Sequence, residues 1–427
     1  MNFIIIFADQ MHKYALGKLD QEVFTPHLDR LCEEGVLFRN AYSNNPICGP
    51  YRGTLLTGLY TSHNGVHYNG QPLLSETKTL ARELNRLGYE TSFVGKWHLG
   101  GNGNEPILPH LQGNFKHFLG YQCYNGFLKD IIFWNEQGER QAYDGHRTEV
   151  TTHLAIENLR ALKATHKPFL QVIGYQAPHY PEQPLPEYAK LYEGKTILHT
   201  PDYIEVDPYT PTYSPYSPRP YEECPDYQRY GNNMDEYIRL YNGMVTQVDH
   251  GVGEILKEVQ RLGLEEDTLI VFTSDHGDMH GSHGLKNKSL PYEKSCGVPF
   301  IVKDPKGLKD KISDALVSGI DIFPSVMAYA EEATEVTLDG RSFKGYLREE
   351  EETTQDFVVA EYICPDTGWQ MIRDKQFKLC VRTADYTPYL LFDMEKDPYE
   401  LENLIEDGYY APIIECLMQQ LDRTLLK

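Results

Sequence analysis

Short runs rich in Ile, Val and Phe alternate along this chain with longer amphipathic stretches, and that βαβα rhythm limits the fold more than any other feature. Strands joined through helices return to the sheet in parallel, so the rhythm predicts an α/β fold with a mostly parallel sheet covered by helices on both faces. Candidate strands are Phe3 to Ala8, Thr91 to Gly95, Phe169 to Gly174, Thr268 to Ser274 and Pro299 to Val302. The helices between them have readable ends. Thr25 and Pro26 supply an N-cap and a first-turn proline, with Gly35 as the stop. Thr79 to Leu87 ends at Gly88, Thr148 to Ala164 runs up to the next strand, and Met234 to Leu262 ends at Gly263 with a 3.6-residue apolar period.

Two segments break the rhythm. From His179 to Tyr230 the chain is crowded with Pro and Tyr, a composition that excludes regular helix or central strand and predicts a long loop over the sheet edge. Past about Glu349 an acidic run leads into shorter strand-like pieces: Phe357 to Tyr362, Trp369 to Arg373, Phe377 to Val381 and Leu390 to Phe392. The helix Ala411 to Leu425 follows them. The expected organisation is therefore a catalytic α/β domain over 1–349 and a C-terminal α+β subdomain over 350–427, a small antiparallel sheet closed by a helix.

Forty Lys and Arg against sixty-two Asp and Glu leave a formal charge of −22, which repels phosphate backbones and anionic membranes, so no nucleic-acid or membrane partner is expected. No apolar run approaches the roughly 20 residues of a membrane helix. The first residues carry only Phe3 to Ala8 as an apolar stretch, too little for a secretory leader, and the expected location is cytoplasmic. The eight cysteines show no CxxC pair and no zinc-type spacing, so most are expected to be buried free thiols.

Open α/β sheets bind ligands beyond the carboxyl ends of their strands, so the residues just after each strand are the informative ones. The first strand ends in Asp9-Gln10, and the strand at 91–95 runs into Lys96, Trp97 and His98. The strand at 169–174 leads to His179, and the strand at 268–274 ends in Asp275-His276. Each residue alone is also an ordinary turn former or surface imidazole. Together they bring acids, an amide, imidazoles and a lysine to one rim. Oxygen donors from Asp9, Gln10 and Asp275, with His276 beside them, suit calcium or magnesium better than zinc. The segment CGPYRGTLLTG from Cys48 to Gly58 places Cys48 at a helix N-terminus, where free N–H groups favour an anion, with Arg52 one turn on. A small buried thiol before a helix is the alternative reading of Cys48.

With Cys48, Pro50 and Arg52 in place, the chain resembles the type I sulfatases of the alkaline phosphatase superfamily, whose motif is C-x-P-x-R followed by T-G. Gly95 to Gly100 resembles the family's GKWHLG element, Ala177 to Pro181 its APHxP element, and Ser274 to Gly277 its SDHG element. His283-Gly284 with Lys288, Tyr292-Glu293 and Val298-Pro299 also match in order, as do Leu391 to Asp393 and Asp397 to Leu404 in the C-terminal box. The resemblance implies an alkaline-phosphatase-like fold and oxidation of Cys48 to formylglycine by a separate maturation enzyme. It implies that Asp9, Gln10, Asp275 and His276 hold Ca2+ or Mg2+, and that Arg52 and Lys96 steady the aldehyde hydrate. It makes His98 the base that releases sulfate, and it sets His179 and Lys288 against the sulfate and the departing alcohol. Three positions depart from the pattern: Gln10 stands where a second Asp is common, Tyr51 where Ser or Ala is common, and Gly297 where Arg is common.

The expected activity is sulfate ester hydrolysis on a small sulfated saccharide, since an acidic chain disfavours long polysulfated polymers. A phosphonate monoester or phosphodiester hydrolase is the rival enzyme, because the same cations serve phosphorus chemistry. A binding protein that has lost turnover is the rival of another class, and no Ala or Gly at 48, 96 or 98 speaks for it.

Overall fold

The computed structural model describes residues 1–204, 233–331 and 336–426. A ten-stranded sheet has the order β10-β2-β9-β8-β1-β7-β3-β4-β5-β6, and a four-stranded sheet follows it in sequence as β11-β12-β13-β14. The large sheet is built from β1 (Asn2–Asp9), β2 (Val36–Tyr42), β3 (Glu90–Lys96), β4 (His117–Tyr121), β5 (Ile131–Asn135), β6 (Arg140–Tyr143), β7 (Phe169–Pro178), β8 (Thr268–Ser274), β9 (Phe300–Lys303) and β10 (Lys311–Ser318). Its centre, β8-β1-β7-β3-β4, is parallel. β9 inserts antiparallel between β8 and β2, and β5 and β6 continue the far edge antiparallel. The expected mostly parallel sheet is present with mixed flanks. Strands β2, β4, β5, β6 and β10 were not legible in the sequence.

β1 shows why this sheet is covered on both faces. Its alternate residues point to opposite sides. Phe3, Ile5 and Phe7 enter one core with helices α2 (Cys48–Thr57), α3 (Leu80–Arg86) and α6 (Ile322–Tyr329). Ile4, Ile6 and Ala8 enter another with α1 (Pro26–Glu33), α4 (Arg147–Ala164) and α5 (Met234–Arg261). A strand apolar at every position is what burial on both faces demands.

The small sheet, β11 (Val358–Tyr362), β12 (Trp369–Arg373), β13 (Phe377–Arg382) and β14 (Pro388–Asp393), is antiparallel throughout. One face packs on α7 (Ala411–Leu425) through Leu417, Leu421 and Leu425. The other packs on Tyr42, Ile47, Met279, Leu290 and Tyr292 of the large body, so the two sheets share a continuous core. Trp369 Nε1 donates to Ser289 O at 2.9 Å and Lys378 Nζ to Pro291 O at 2.9 Å, which ties the small sheet to the loop carrying Lys288.

Three expectations need correction. Thr25 does not cap α1: the Asp249 carboxylate does, accepting from Leu28 N at 2.7 Å and His27 N at 3.3 Å across 221 and 222 residues of sequence. The stretch from His179 to Tyr230 contains a helical turn at Pro186–Ala189, begun by a first-turn proline, and the Tyr- and Pro-rich span 208–230 lies outside the described residues. Pro299–Val302 is a strand shifted by one residue, and it runs antiparallel to β8. The cysteines agree with expectation: of the seven described, all free, Cys32, Cys48, Cys296 and Cys380 are buried, Cys123 and Cys364 half-buried and Cys416 exposed.

Candidate active site

Four neighbouring parallel strands, β8, β1, β7 and β3, end at one edge, and their next residues converge there. β8 delivers Asp275 and His276, β1 delivers Asp9 and Gln10, β7 delivers His179, and β3 delivers Lys96 and His98. Two of these residues, Gln10 at φ 73° and His98 at φ 55°, hold left-handed backbone, so the chain turns sharply back over the strand ends. Gly95 makes the β3 turn possible. Its φ is +117°, and a Cβ there would sit 2.0 Å from Gly174 O, the paired residue on β7.

α2 brings the nucleophile candidate. Cys48 is its first residue, after Ile47 in extended conformation, and every residue of the helix is buried. Cys48 Sγ lies 3.2 Å from His276 Nε2, 3.3 Å from Lys288 Nζ and 3.6 Å from Asp9 Oδ1. Arg52 Nη2 reaches Asp9 Oδ2 and Asp275 Oδ2, each at 3.0 Å, and Nη1 donates to the Lys96 carbonyl. Lys96 Nζ pairs with Asp9 Oδ2. Arg52 and Lys96 therefore bind the carboxylates beside Cys48. Lys288 Nζ also donates to Gln10 Oε1 at 2.9 Å, and Gln10 N donates to Asp275 Oδ1 at 3.0 Å. The structure thus brings all ten expected residues into one buried cluster.

The electrostatics follow from that packing. Burial opposes a charge on the Cys48 thiol, but Lys288, Lys96 and His276 outweigh it and push the thiol pKa well down. Burial and Cys48 would raise Asp9, while Lys96, His179 and Arg52 hold it below the usual carboxylate range. Asp275 has weaker cationic support; burial, then Asp9, raises it to about 6. Burial, with Lys288 and Lys96 nearby, lowers His179 to about 4, and burial lowers His98 as well. Both imidazoles are thereby kept neutral and able to accept a proton.

Hydrogen bonds assign the tautomers. His276 Nδ1 donates to Gly277 O at 3.0 Å, leaving Nε2 bare toward Cys48, Asp9 and Asp275. His179 Nδ1 donates to Tyr180 O at 2.7 Å. His98 Nε2 donates to Asn102 Oδ1 at 3.1 Å, so Nδ1, buried and without a hydrogen-bond partner, carries the free lone pair. Asn102 and Asp278, whose carboxylate accepts from the Gln10 amide, were missed in the sequence. Asp278 directly follows the SDHG element, and proximity to it was the available signal; Asn102 sits in an irregular loop, where spacing carries no directional information.

Asp9, Cys48, Asp275 and His276 each offer a ligand atom, and these atoms lie within 4.8 Å of one another. Two carboxylates, an imidazole Nε2 held bare by a backbone acceptor and a nearby amide oxygen fit a divalent cation with a preference for oxygen. A residue in place of Cys48 that offers oxygen instead of sulfur would complete such a donor set.

A buried cysteine at a helix start, a cluster of possible cation ligands at the strand ends and a ring of buried cationic side chains on a helix-sandwiched sheet match the alkaline phosphatase superfamily. The family model described as "Sulfatase" matches residues 1–332, and one described as "N-sulphoglucosamine sulphohydrolase, C-terminal" matches residues 281–427. The chain belongs to the sulfatase family and is a sulfuric ester hydrolase. It is 28% identical to an ulvan-active sulfatase of Formosa agariphila over 100% of this chain and 80% of the relative. It is 28% identical to an N-acetylglucosamine-6-O-sulfatase of Bacteroides thetaiotaomicron over 99% and 86%. A solved structure in complex with D-glucosamine-2-N,6-O-disulfate, described as its substrate, has a TM-score of 0.85 at 24% identity, covering 99% of this chain and 97% of that one. A phosphonate monoester hydrolase of Agrobacterium radiobacter shares the fold at a TM-score of 0.78 and 23% identity, over 99% and 95%.

Proposed function

We propose that this chain hydrolyses the sulfate ester of a small sulfated saccharide, using a formylglycine made from Cys48 by a maturation enzyme, with Ca2+ or Mg2+ held by Asp9, Gln10, Asp275 and His276. The observation that carries the reading is the position of Cys48, at the buried start of α2 and within 3.6 Å of a carboxylate, an imidazole and an ammonium group. The relatives active on ulvan and on N-acetylglucosamine 6-sulfate support a saccharide.

A hydrated aldehyde at position 48 offers one hydroxyl to attack sulfur and a second to expel sulfate afterwards. A bound divalent cation polarises the sulfate and lowers the pKa of the attacking hydroxyl. The chain's own residues do the rest. Lys96 and Arg52 balance the negative charge of Asp9 and Asp275 around the nucleophile. Lys288, three donors on one ammonium, faces position 48 and suits a sulfate oxygen. The Lys288 ammonium, facing position 48, carries the proton that the departing alkoxide takes, and neutral His179 lines the site beside it. His98 Nδ1, held bare by Asn102, takes the proton of the second hydroxyl as the sulfate departs and the aldehyde re-forms.

The test is ion release from 6-O- and 2-O-sulfated monosaccharides, an aryl sulfate and an aryl phosphonate. It uses protein co-produced with a formylglycine-generating enzyme, and a peptide mass at position 48 confirms conversion. Sulfate release by the converted chain, absent in Cys48→Ala, is the expected result, with a sulfated sugar preferred. Dominant phosphonate turnover would assign the rival chemistry, and no release from any compound by fully converted protein would overturn the small-saccharide reading.

A further inference from the structure

Gln10 stands where a glutamine amide is an ambiguous donor set. One end of the amide accepts and can face a cation; the other end donates and repels it, and the two ends have nearly the same shape. Nothing in the backbone of β1 decides between them, because rotation of the side chain by half a turn exchanges the two ends. The choice must come from neighbours.

Asp278 supplies it. Its side chain is fully buried, and the groups that reach it arrive as donors. Oδ1 accepts from His280 N at 3.0 Å and from Asn287 N at 3.1 Å, and a backbone N–H can only donate. Oδ2 accepts from Tyr237 OH at 2.7 Å and from Gln10 Nε2 at 2.5 Å. An ionised carboxylate has no donor to offer, so the amide must turn its NH2 toward it. Oε1 is left facing Lys288 Nζ and, through it, Cys48. The rest of Gln10 is held just as firmly: its N–H donates to Asp275 Oδ1 at 3.0 Å, and its carbonyl accepts from Tyr241 OH at 2.8 Å. Lys288 also prefers the amide oxygen, but its ammonium is shared with Cys48, and a cation at Gln10 Oε1 repels it. Asp278 is the neighbour whose demand survives cation binding.

We propose that Asp278 is a positioning residue: it fixes the Gln10 amide with Oε1 toward the cation and Nε2 away, and so lets an amide serve where a carboxylate would need no orienting. This rests on the sulfatase reading above. Asp278→Asn reverses the arrangement. The two backbone N–H groups claim the oxygen of the new amide, its NH2 then faces Gln10, and the Gln10 amide flips to present NH2 to the cation.

The experiment is calorimetric titration of CaCl2, and in parallel MgCl2, into the chelator-stripped full chain, with a thermal melt of each variant to show that it folds. Asp278→Asn should weaken cation binding about 10- to 100-fold, the range found when a group orienting a metal ligand is removed. Gln10→Glu combined with Asp278→Asn exchanges acid and amide at constant charge and nearly constant volume. A carboxylate at 10 has oxygen at both ends, and the amide that Asp278→Asn introduces can donate to it, so the double variant should return to within a few-fold of wild type. Wild-type affinity in Asp278→Asn would overturn the positioning role and leave the sulfatase reading intact, and so would a double variant that folds but binds as weakly as Asp278→Asn. A wild-type chain that binds neither cation would overturn the metal reading itself, and the positioning role with it.

Discussion

Lys378 is the side chain on which the joint between the two sheets depends. It is fully buried on β13, with Nζ 2.6 Å from Glu400 Oε1, 2.7 Å from Glu293 Oε1 and 2.9 Å from Pro291 O. Glu293 pairs in addition with Lys13 and accepts from Tyr42 OH at 2.9 Å, while Glu400 accepts from Glu293 N at 2.7 Å. Two lysines thus face two glutamates. Glu293, between both ammonium groups, keeps its charge against the opposing pull of burial. Glu400 shares one ammonium, and burial lifts it to about 7. Lys378→Met removes one positive charge at nearly constant volume and leaves a carboxylate without its cation. Breaking a buried pair from one side costs about 3–5 kcal/mol. With an unfolding entropy of about 2.1 cal/mol/K per residue, 427 residues give about 0.9 kcal/mol/K, so Tm should fall by about 3–6 °C at pH 8. At pH 6 Glu400 is protonated, the uncompensated charge disappears, and the loss should shrink. Calorimetric melts of wild type, Lys378→Met and Lys378→Met/Glu400→Gln test this directly. The double variant leaves Lys13 and Glu293 as a balanced pair and should recover most of the loss. A Tm change under about 1 °C in the single variant, or no recovery in the double, would refute the charge argument.

Two further perturbations probe the frame of the site. Gly95→Ala places a Cβ against Gly174 O at φ +117°, where neither β3 nor β7 can yield without losing their pairing, and should cost about 3 kcal/mol or more in urea unfolding; an unchanged midpoint would show that the turn relaxes freely. Asp249, buried at the start of α1, has its pKa raised by burial to about 7 from an unfolded value near 3.9. The folded chain therefore holds this proton more tightly, and the group's stabilising contribution is complete below about pH 4 and lost as pH rises through 7, by on the order of 4 kcal/mol at most. Asn keeps the cap and does not titrate, so the Tm of Asp249→Asn relative to wild type should climb between pH 5 and pH 8. A flat difference in paired melts would mean that Asp249 ionises normally in the fold.

The sequence by itself determined the local units and much of the chemistry. β1, β7 and β8 were legible because apolar runs belong to strands buried on both faces, β3 was legible from Phe93-Val94 between polar ends, and their ends pointed to Asp9, Gln10, Lys96, His98, His179, Asp275 and His276. The small sheet and α7 were legible because antiparallel neighbours and short turns keep their partners close along the chain. Strands β2, β4, β5, β6 and β10 were not: each contains residues that are not buried, and β6 buries none.

Only the tertiary structure decided which groups meet. A parallel sheet orders its strands by crossover, so β1 lies between β7 and β8, more than 150 residues away in each case. That ordering sets Gln10 against Asp278, 268 residues apart, places Asp249 at the start of α1, and closes Lys378 over Glu293. Hydrophobic periodicity is a property of neighbours along the chain, whereas a buried donor is satisfied by whatever acceptor the packing brings within about 3 Å. The residue types of the site were therefore readable from its motifs. The direction of each proton and amide, at His98 beside Asn102 and at Gln10 beside Asp278, exists only once the strands are side by side.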